Sequence, residues 1–375
     1  MAGDDGGCRA QRSGGRHRPA AGEPDGRPRG GGVMTTDALL PAKAAPSALR
    51  RARDVVAPAT RAFIARLDDT SAAIASYHLG WTDAGGAPTS GGGGKAVRPA
   101  LATLSAQAAG APARVGIPGA VAVELVHNFS LVHDDVMDGD TERRHRPTVW
   151  AVWGATSAIL TGDALLALAQ EVLLEGTSPH RAAAARLLAE ATRHLIRGQV
   201  QDVAFERRDD VTVAECLDMV SGKTGALLSA SAAIGAVLAG APAEVVDALS
   251  TFGAQLGIAF QLVDDLLGIW GEPRVSGKPV FSDLRSRKKT LPVTYALTHG
   301  GSAGRELAGW LAGSEPGGEA RAAELIEAAG GRRWAATEAR RRIAAATDAL
   351  SAVPIPTGPR AELVAIAHFI VAREA

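Results

Sequence analysis

Val121-Ala-Val-Glu-Leu-Val-His-Asn-Phe-Ser-Leu-Val-His133-Asp-Asp-Val-Met-Asp138 carries a mostly apolar segment directly into three aspartates. About 130 residues later the design returns, with Phe252 to Val263 leading into Asp264-Asp265-Leu-Leu-Gly268. In a helix, Asp134 and Asp138 lie one turn apart on one face. Carboxylates that close repel and resist ionisation unless a positive charge sits among them. Hard oxygen ligands in this arrangement suit Mg²⁺, which takes one or two carboxylates and leaves its other positions to water and phosphate oxygens. Two such clusters facing each other would hold several Mg²⁺ ions around one diphosphate.

Outward from these clusters the chain keeps a helical period. Between Val97 and Ala375 there is no convincing strand alternation. Ala182 to Phe205 places Leu187, Leu188, Ala191, Leu195 and Val200 near helical spacing, and Ala320 to Ala349 reads as helix broken at Gly330-Gly331. Breaks are expected at Gly110–Pro118, Gly176–Pro179, Gly271–Pro279 and Gly300–Gly318, and a loop over Trp81–Gly94. Many helices joined by short loops, some almost wholly apolar, predict an all-α bundle with buried central helices.

Composition narrows the function classes. The 375 residues hold 40 Lys+Arg against 40 Asp+Glu, so no net field favours nucleic acid or an anionic membrane. Cys8 and Cys216 lie far apart with no metal-type spacing, so no disulfide framework is expected and a reducing cytoplasm is the default. Residues 1–33 are dominated by Gly, Arg and Pro and cannot build a core, so they read as a disordered tail. No internal linker divides residues 34–375, which read as one domain. Thr224 to Ala243 lacks charge over a span long enough to cross a bilayer, but its Ala, Ser and Gly content predicts a buried helix and no transmembrane segment.

Cations accompany each acidic cluster. Arg143-Arg144 follows the first; an Arg pair beside acids is usually a solvated ion-pair network. After the second comes a Gly/Pro-punctuated loop with Lys278, Arg285, Arg287, Lys288 and Lys289, either an ordinary basic loop or a lid closing on phosphate. Gly91 to Gly94 precede Lys95 and Arg98 at a helix start, where backbone N–H groups can meet an anion. Lys95 and Arg98 then fall on neighbouring positions of the first turn. Ala96 excludes a P-loop, which would need Ser or Thr there. His127 lies two turns before Asp134 on its stripe, Lys223-Thr224 opens an uncharged helix, and Gln261 sits one turn before Asp264.

Together these elements resemble the trans-type polyprenyl diphosphate synthases, which extend allylic diphosphates with isopentenyl diphosphate. The matching order runs Gly-Gly-Lys95-x-x-Arg98-Pro, the His127 to Asp138 stretch, Arg143-Arg144, Gly162-Asp163, Gly198-Gln199, Lys223-Thr224, Gln261-x-x-Asp264-Asp265, Gly277-Lys278, Asp283 and Ser286 to Pro292. The resemblance implies the isoprenoid synthase-type helical bundle with a central active-site cavity, in a homodimer. It implies that Asp134, Asp138 and Asp264 ligate three Mg²⁺ ions, with Asp135 and Asp265 in support. Arg143, Lys223, Thr224, Gln261, Lys278 and Lys288 would hold the allylic diphosphate. Lys95, Arg98, His127 and Arg144, with backbone near Gly94, would hold isopentenyl diphosphate.

Two positions depart from the family's pattern. Ala96 stands where Arg is frequent, and Gly268 closes the second cluster where an Asp is usual, leaving Asp264 as the main ligand on that side. Phe129 and Ser130, five and four residues before Asp134, fall where the family forms the floor that limits product length. An aromatic floor with a small neighbour resembles enzymes making twenty-carbon geranylgeranyl diphosphate, with the fifteen-carbon farnesyl product as the alternative. A class I terpene cyclase would lack the isopentenyl site, a non-catalytic partner subunit would lose the acidic clusters, and a plain helical scaffold would need none of these motifs.

Overall fold

The computed structural model describes residues 46–89, 94–271, 280–313 and 317–372. The expected tail over residues 1–33 lies outside the described residues. In chain order the helices are α1 (Ser47–Ile64), α2 (Asp69–His78), α3 (Val97–Ala108), α4 (Ile117–Met137), α5 (Val149–Leu174), α6 (Arg181–Phe205), α7 (Val213–Val220), α8 (Ala226–Leu238) and α9 (Ala243–Trp270). Beyond them come Ser282–Arg285, Leu291–His299, Gly301–Ala312, Glu319–Ala328, Gly331–Ser351 and Thr357–Val371. Among the described residues, strands are limited to the two-residue pair β1 (Glu142–Arg143) and β2 (Arg146–Pro147). The fold is all-α, as the missing strand alternation predicts.

α8 occupies the middle, packed against α3 and α9 and crossed by α6. Its Ala232, Ala233, Ile234 and Ala236 are fully buried, and small side chains there let the neighbouring backbones come close. α4 lies along α5, and Gly331–Ser351 lies along α9. Phe252 on α9 is fully buried in the cluster that also holds Leu101, Leu104 and Leu228. Truncating such a ring to alanine costs about 3–5 kcal/mol.

Helix breaks fall as expected at Gly176–Pro179 and between Glu319–Ala328 and Gly331–Ser351. The expected break over Gly300–Gly318 is corrected: Gly301–Ala312 is a helix. Leu307 is fully buried there and packs with Trp310 and Leu311 beside Ile326, so core burial outweighs the weak helix propensity of three glycines. Lys223-Thr224 also differs from expectation, lying in a π-helical turn, Ser221–Gly225, between α7 and α8. Such bulges widen a helix locally and re-aim side chains.

Among the described residues, Ala113–Met137, Val149–Leu174 and Ala243–Trp270 are long and apolar enough to span a membrane by length and composition. Two of them are α4 and α9, which bury much of that surface in the bundle and carry the acidic clusters. α5 is different, leaving Val152, Ile159 and Leu160 exposed.

Candidate active site

Helical backbone persists through the cap of α4, where Asp138 has φ −81° and ψ −12°, so Asp134 and Asp138 stay one turn apart. Burial raises the Asp134 carboxyl above its usual range, Lys223 opposes the shift, and Asp138 adds to it. Lys288 Nζ donates to Asp138 Oδ2 at 2.9 Å across 150 residues of sequence. Lys223 Nζ donates to Asp202 Oδ2 on α6 at 2.6 Å. The close approach behind this pair needs Gly198, since a Cβ there would stand 2.2 Å from the backbone nitrogen of Lys223.

Asp135 turns the other way. It is 1% exposed, and its Oδ1 accepts from Arg143 Nε and Nη2 at 2.7 Å. Its Oδ2 has no hydrogen-bond partner among the described residues, and burial lifts its pKa to about 6 even beside the guanidinium. Arg144 and His145 both adopt positive φ, 54° and 60°, making the tight turn between β1 and β2. That turn directs Arg143 toward Asp135 and leaves Arg144 near Gly94.

The second cluster is arranged around Asp265 as much as Asp264. Asp265 is buried, and its oxygens accept from Gln261 Nε2 at 2.8 Å and from the Leu291 backbone N–H at 3.0 Å. Burial, reinforced by Asp283, pushes its pKa up to about 8. Gln261 therefore bonds Asp265, one turn onward, and its Oε1 accepts from Thr224 Oγ1 at 2.9 Å. Asp264 is half-buried beside it. A Cβ at Gly268 would fall 2.1 Å from Asp283 Oδ2. The volume that the family's usual Asp would fill is taken by a carboxylate from another element.

The expected cationic lid divides into three tasks. Arg287 Nη1 donates to the carbonyls of Trp310 at 2.7 Å and Leu311 at 3.0 Å, and also to Gly313, with its guanidinium over the Trp310 ring. Lys289 Nζ donates to Phe205 O at 2.9 Å and to Arg208 O, capping the end of α6. Lys288, between them, is the one of the three that reaches the acidic cluster. Arg285 is exposed, and Lys278 lies outside the described residues.

A second group of cations gathers behind α4. Burial lowers Arg98 to about 10 against the support of Glu124, and its Nε has no acceptor among the described residues. His127 is held well below its usual pKa by burial and by Arg98 and Arg144, so it is neutral. Contrary to the expectation from sequence, Lys95 does not share the first helical turn with Arg98. Ala96 takes a left-handed φ of 54°, and the helix begins at Val97, so the chain turns between them. Arg53 on α1 donates to Gly94 O at 3.0 Å. A cavity of about 70 Å³ beside this group is lined by His78, Asp135, Arg143, Arg144 and Arg146, among others. Partly desolvated guanidinia, with the Nε of Arg98 still without an acceptor among the described residues, fit a phosphate-bearing ligand.

A family model described as polyprenyl synthetase matches residues 87–329. The chain belongs to the polyprenyl synthetase family. It is 58% identical to a (2E,6E)-farnesyl diphosphate synthase of Mycobacterium bovis over 330 residues, covering 86% of this chain and 92% of that protein. It is 44% identical to a geranylgeranyl diphosphate synthase of Mycobacterium tuberculosis, covering 92% and 99%. A polyprenyl synthetase structure from Streptomyces coelicolor superposes with a TM-score of 0.84 at 52% identity, covering 86% and 98%. As a polyprenyl synthetase the chain is a prenyltransferase, and its fold is the isoprenoid synthase bundle.

Three residues of this polyprenyl synthetase site, Asp202, His78 and Arg53, carry no motif in the sequence. Asp202, the partner of Lys223, lies one turn beyond Gly198 on α6, and that spacing was the available signal. Asp283 was matched to the family without a place, which only the Gly268 contact supplies. His78 and Arg53 come from α2 and α1, which carry no motif. Magnesium fits the polyprenyl synthetase donor set. Among the described residues no group of three or more His, Cys, Asp or Glu could hold a metal alone. Asp134 and Asp138 supply two hard oxygens, the share of a coordination sphere that Mg²⁺ takes from protein when a diphosphate provides the rest.

Proposed function

We propose that this polyprenyl synthetase joins isopentenyl diphosphate to an allylic diphosphate and makes farnesyl diphosphate. The observation that carries the product assignment is the 58% identity to a farnesyl diphosphate synthase, against 44% to a geranylgeranyl enzyme. The twenty-carbon expectation from Phe129 and Ser130 thus yields to its fifteen-carbon alternative. Phe129 is buried and packs edge-on against His133, which supports a floor held in place.

Asp134, Asp138 and Asp264 would hold three Mg²⁺ ions, which when bound neutralise charge growing on the departing diphosphate. Lys223, Lys288 and Arg143 would bind that diphosphate, exchanging their present carboxylate partners Asp202, Asp138 and Asp135 for phosphate oxygens. Thr224 and Gln261 would orient it, with Lys278 as a further cation. Arg98, Arg144, His127 and Lys95 would hold isopentenyl diphosphate with its double bond facing the allylic carbon. Neutral His127 donates a hydrogen bond there without adding charge. The proton lost after carbon–carbon bond formation passes to released diphosphate, and no protein nucleophile is required. Water must be excluded, since it would capture the allylic cation.

Homodimer formation is supported by the apolar residues that α5 and α6 leave outside, Val152, Ile159, Leu160, Ile196 and Val200. A buried free thiol at Cys216 is consistent with a reducing cytoplasm. The deciding experiment supplies purified enzyme with Mg²⁺, isopentenyl diphosphate and each allylic primer in turn, and sizes the products by mass spectrometry. Farnesyl diphosphate should dominate. Products of thirty carbons or more would overturn the assignment.

A further inference from the structure

α4 presents two adjacent stripes at the first acidic cluster. Ser130, Asp134 and Asp138 repeat every four residues on one; Phe129 and His133 repeat by four on the next. The second stripe faces α5. There the His133 ring lies over Gly162, where a Cβ would stand 2.2 Å from Nε2 and 2.4 Å from Cδ2. Nε2 is 3.0 Å from the carbonyl oxygen of Ile159, and because a carbonyl only accepts, that nitrogen carries the proton and donates. Asp163 Oδ1 stands 3.9 Å from the same nitrogen. On its remaining side the ring meets Phe129, with centroids 4.8 Å apart at 67°, an edge-to-face contact. The ring is therefore held between α5 and Phe129 by packing, a hydrogen bond and the absence of any side chain at position 162.

We propose that His133 is a positioning residue for product length, acting by holding Phe129 in place against α5. The proposal rests on the reading of Phe129 as the floor of the product cavity. Phe129 is buried, and Val126 and Leu165 share its core cluster. Close packing leaves a ring of this size few rotamers as long as each neighbour is present. Removing the His133 imidazole would open a space directly over Gly162, which has no side chain to fill it. Phe129 would turn into that space, and the cavity would lengthen without any change in the carboxylates or cations that bind the two diphosphates.

The test compares His133→Ala, His133→Gln, His133→Phe and Phe129→Ala in the full chain. Each receives Mg²⁺, isopentenyl diphosphate and an allylic primer, and products are sized by mass spectrometry. Gln is a good helix former, so it keeps the measurement intact if the alanine protein fails to fold. The Ala and Gln variants should move the main product up by at least one five-carbon unit with KM for isopentenyl diphosphate unchanged. His133→Phe, which retains a ring over Gly162, should keep the parent length. Unchanged products from folded His133→Ala or His133→Gln would overturn the proposal, as would lengthening by His133→Phe. Phe129→Ala separates the two ideas. Longer products from it alone leave the floor in place and discard the role of His133, whereas unchanged products from it discard the floor.

Discussion

The Asp283 carboxylate stands where a side chain at Gly268 would begin, with Oδ2 2.1 Å and Cγ 2.5 Å from the position of a Cβ. The missing aspartate of the second cluster and the presence of Asp283 are thus one steric fact. Ser282 Oγ reinforces it, lying 3.2 Å both from the Gly268 carbonyl oxygen and from Asp283 Oδ1.

Restoring the family's usual residue should therefore harm this protein. Gly268→Asp must displace Asp283 and adds a third carboxylate beside Asp265, whose pKa burial and Asp283 already raise to about 8. Overpacking of this kind costs about 1–3 kcal/mol. Urea unfolding should show that loss, and turnover should fall with it. Gly268→Asp combined with Asp283→Gly should recover much of the stability. A single Gly268→Asp protein as stable and active as the parent would show that the two groups do not compete.

The metal assignment makes a sharper demand. Asp134→Ala and Asp264→Ala should each lower condensation by about a hundredfold or more, the usual effect of removing one preorganised electrostatic contact at the reacting centre. Far-UV circular dichroism should be unchanged, because neither residue supports the core. Near-normal turnover in both variants would sink the Mg²⁺ role of the two clusters.

Two consecutive lysines should behave differently. Lys288→Ala should reduce turnover with little effect on unfolding, because the exposed part of its contact with Asp138 is screened by solvent. Lys289→Met leaves the Phe205 and Arg208 carbonyls without their donor and should cost about 1–3 kcal/mol of stability. Paired measurements of kcat and urea midpoints decide this. Equal loss of stability in both proteins would contradict the division of labour.

That division also marks the limit of what sequence could show. Helix content, both acidic clusters and their order along the chain were legible because they depend on local periodicity and residue type. Thr224 and Gln261 do come together, but helical spacing alone leaves Gln261 a choice between Asp264 at i+3 and Asp265 at i+4, and the structure pairs it with buried Asp265. Lys95 and Arg98 were separated by a left-handed Ala96, a backbone state no residue type announces. Gly301–Ala312 folded as helix around buried Leu307 against its glycine content. Asp202, His78 and Arg53 were invisible because tertiary packing alone brings their helices to the site.

His78 offers a pH test of its own. Burial, with Arg144 and Arg143, lowers its pKa from 6.5 to about 3, and its Nε2 has no hydrogen-bond partner among the described residues. Above pH 6.5 the imidazole is neutral in both folded and unfolded chains and contributes no pH dependence. Below that value the unfolded chain binds a proton that the folded chain refuses. Folding stability should therefore fall as pH drops from about 6.5 toward 3, at up to about 1.4 kcal/mol per pH unit from this residue. His78→Gln removes the titration, so its stability measured by urea unfolding should decline less steeply over that range than the parent's. His127, also buried and neutral, titrates in both proteins and cancels in the comparison. Parallel stability curves for parent and variant would mean that His78 already takes up its proton in the folded state.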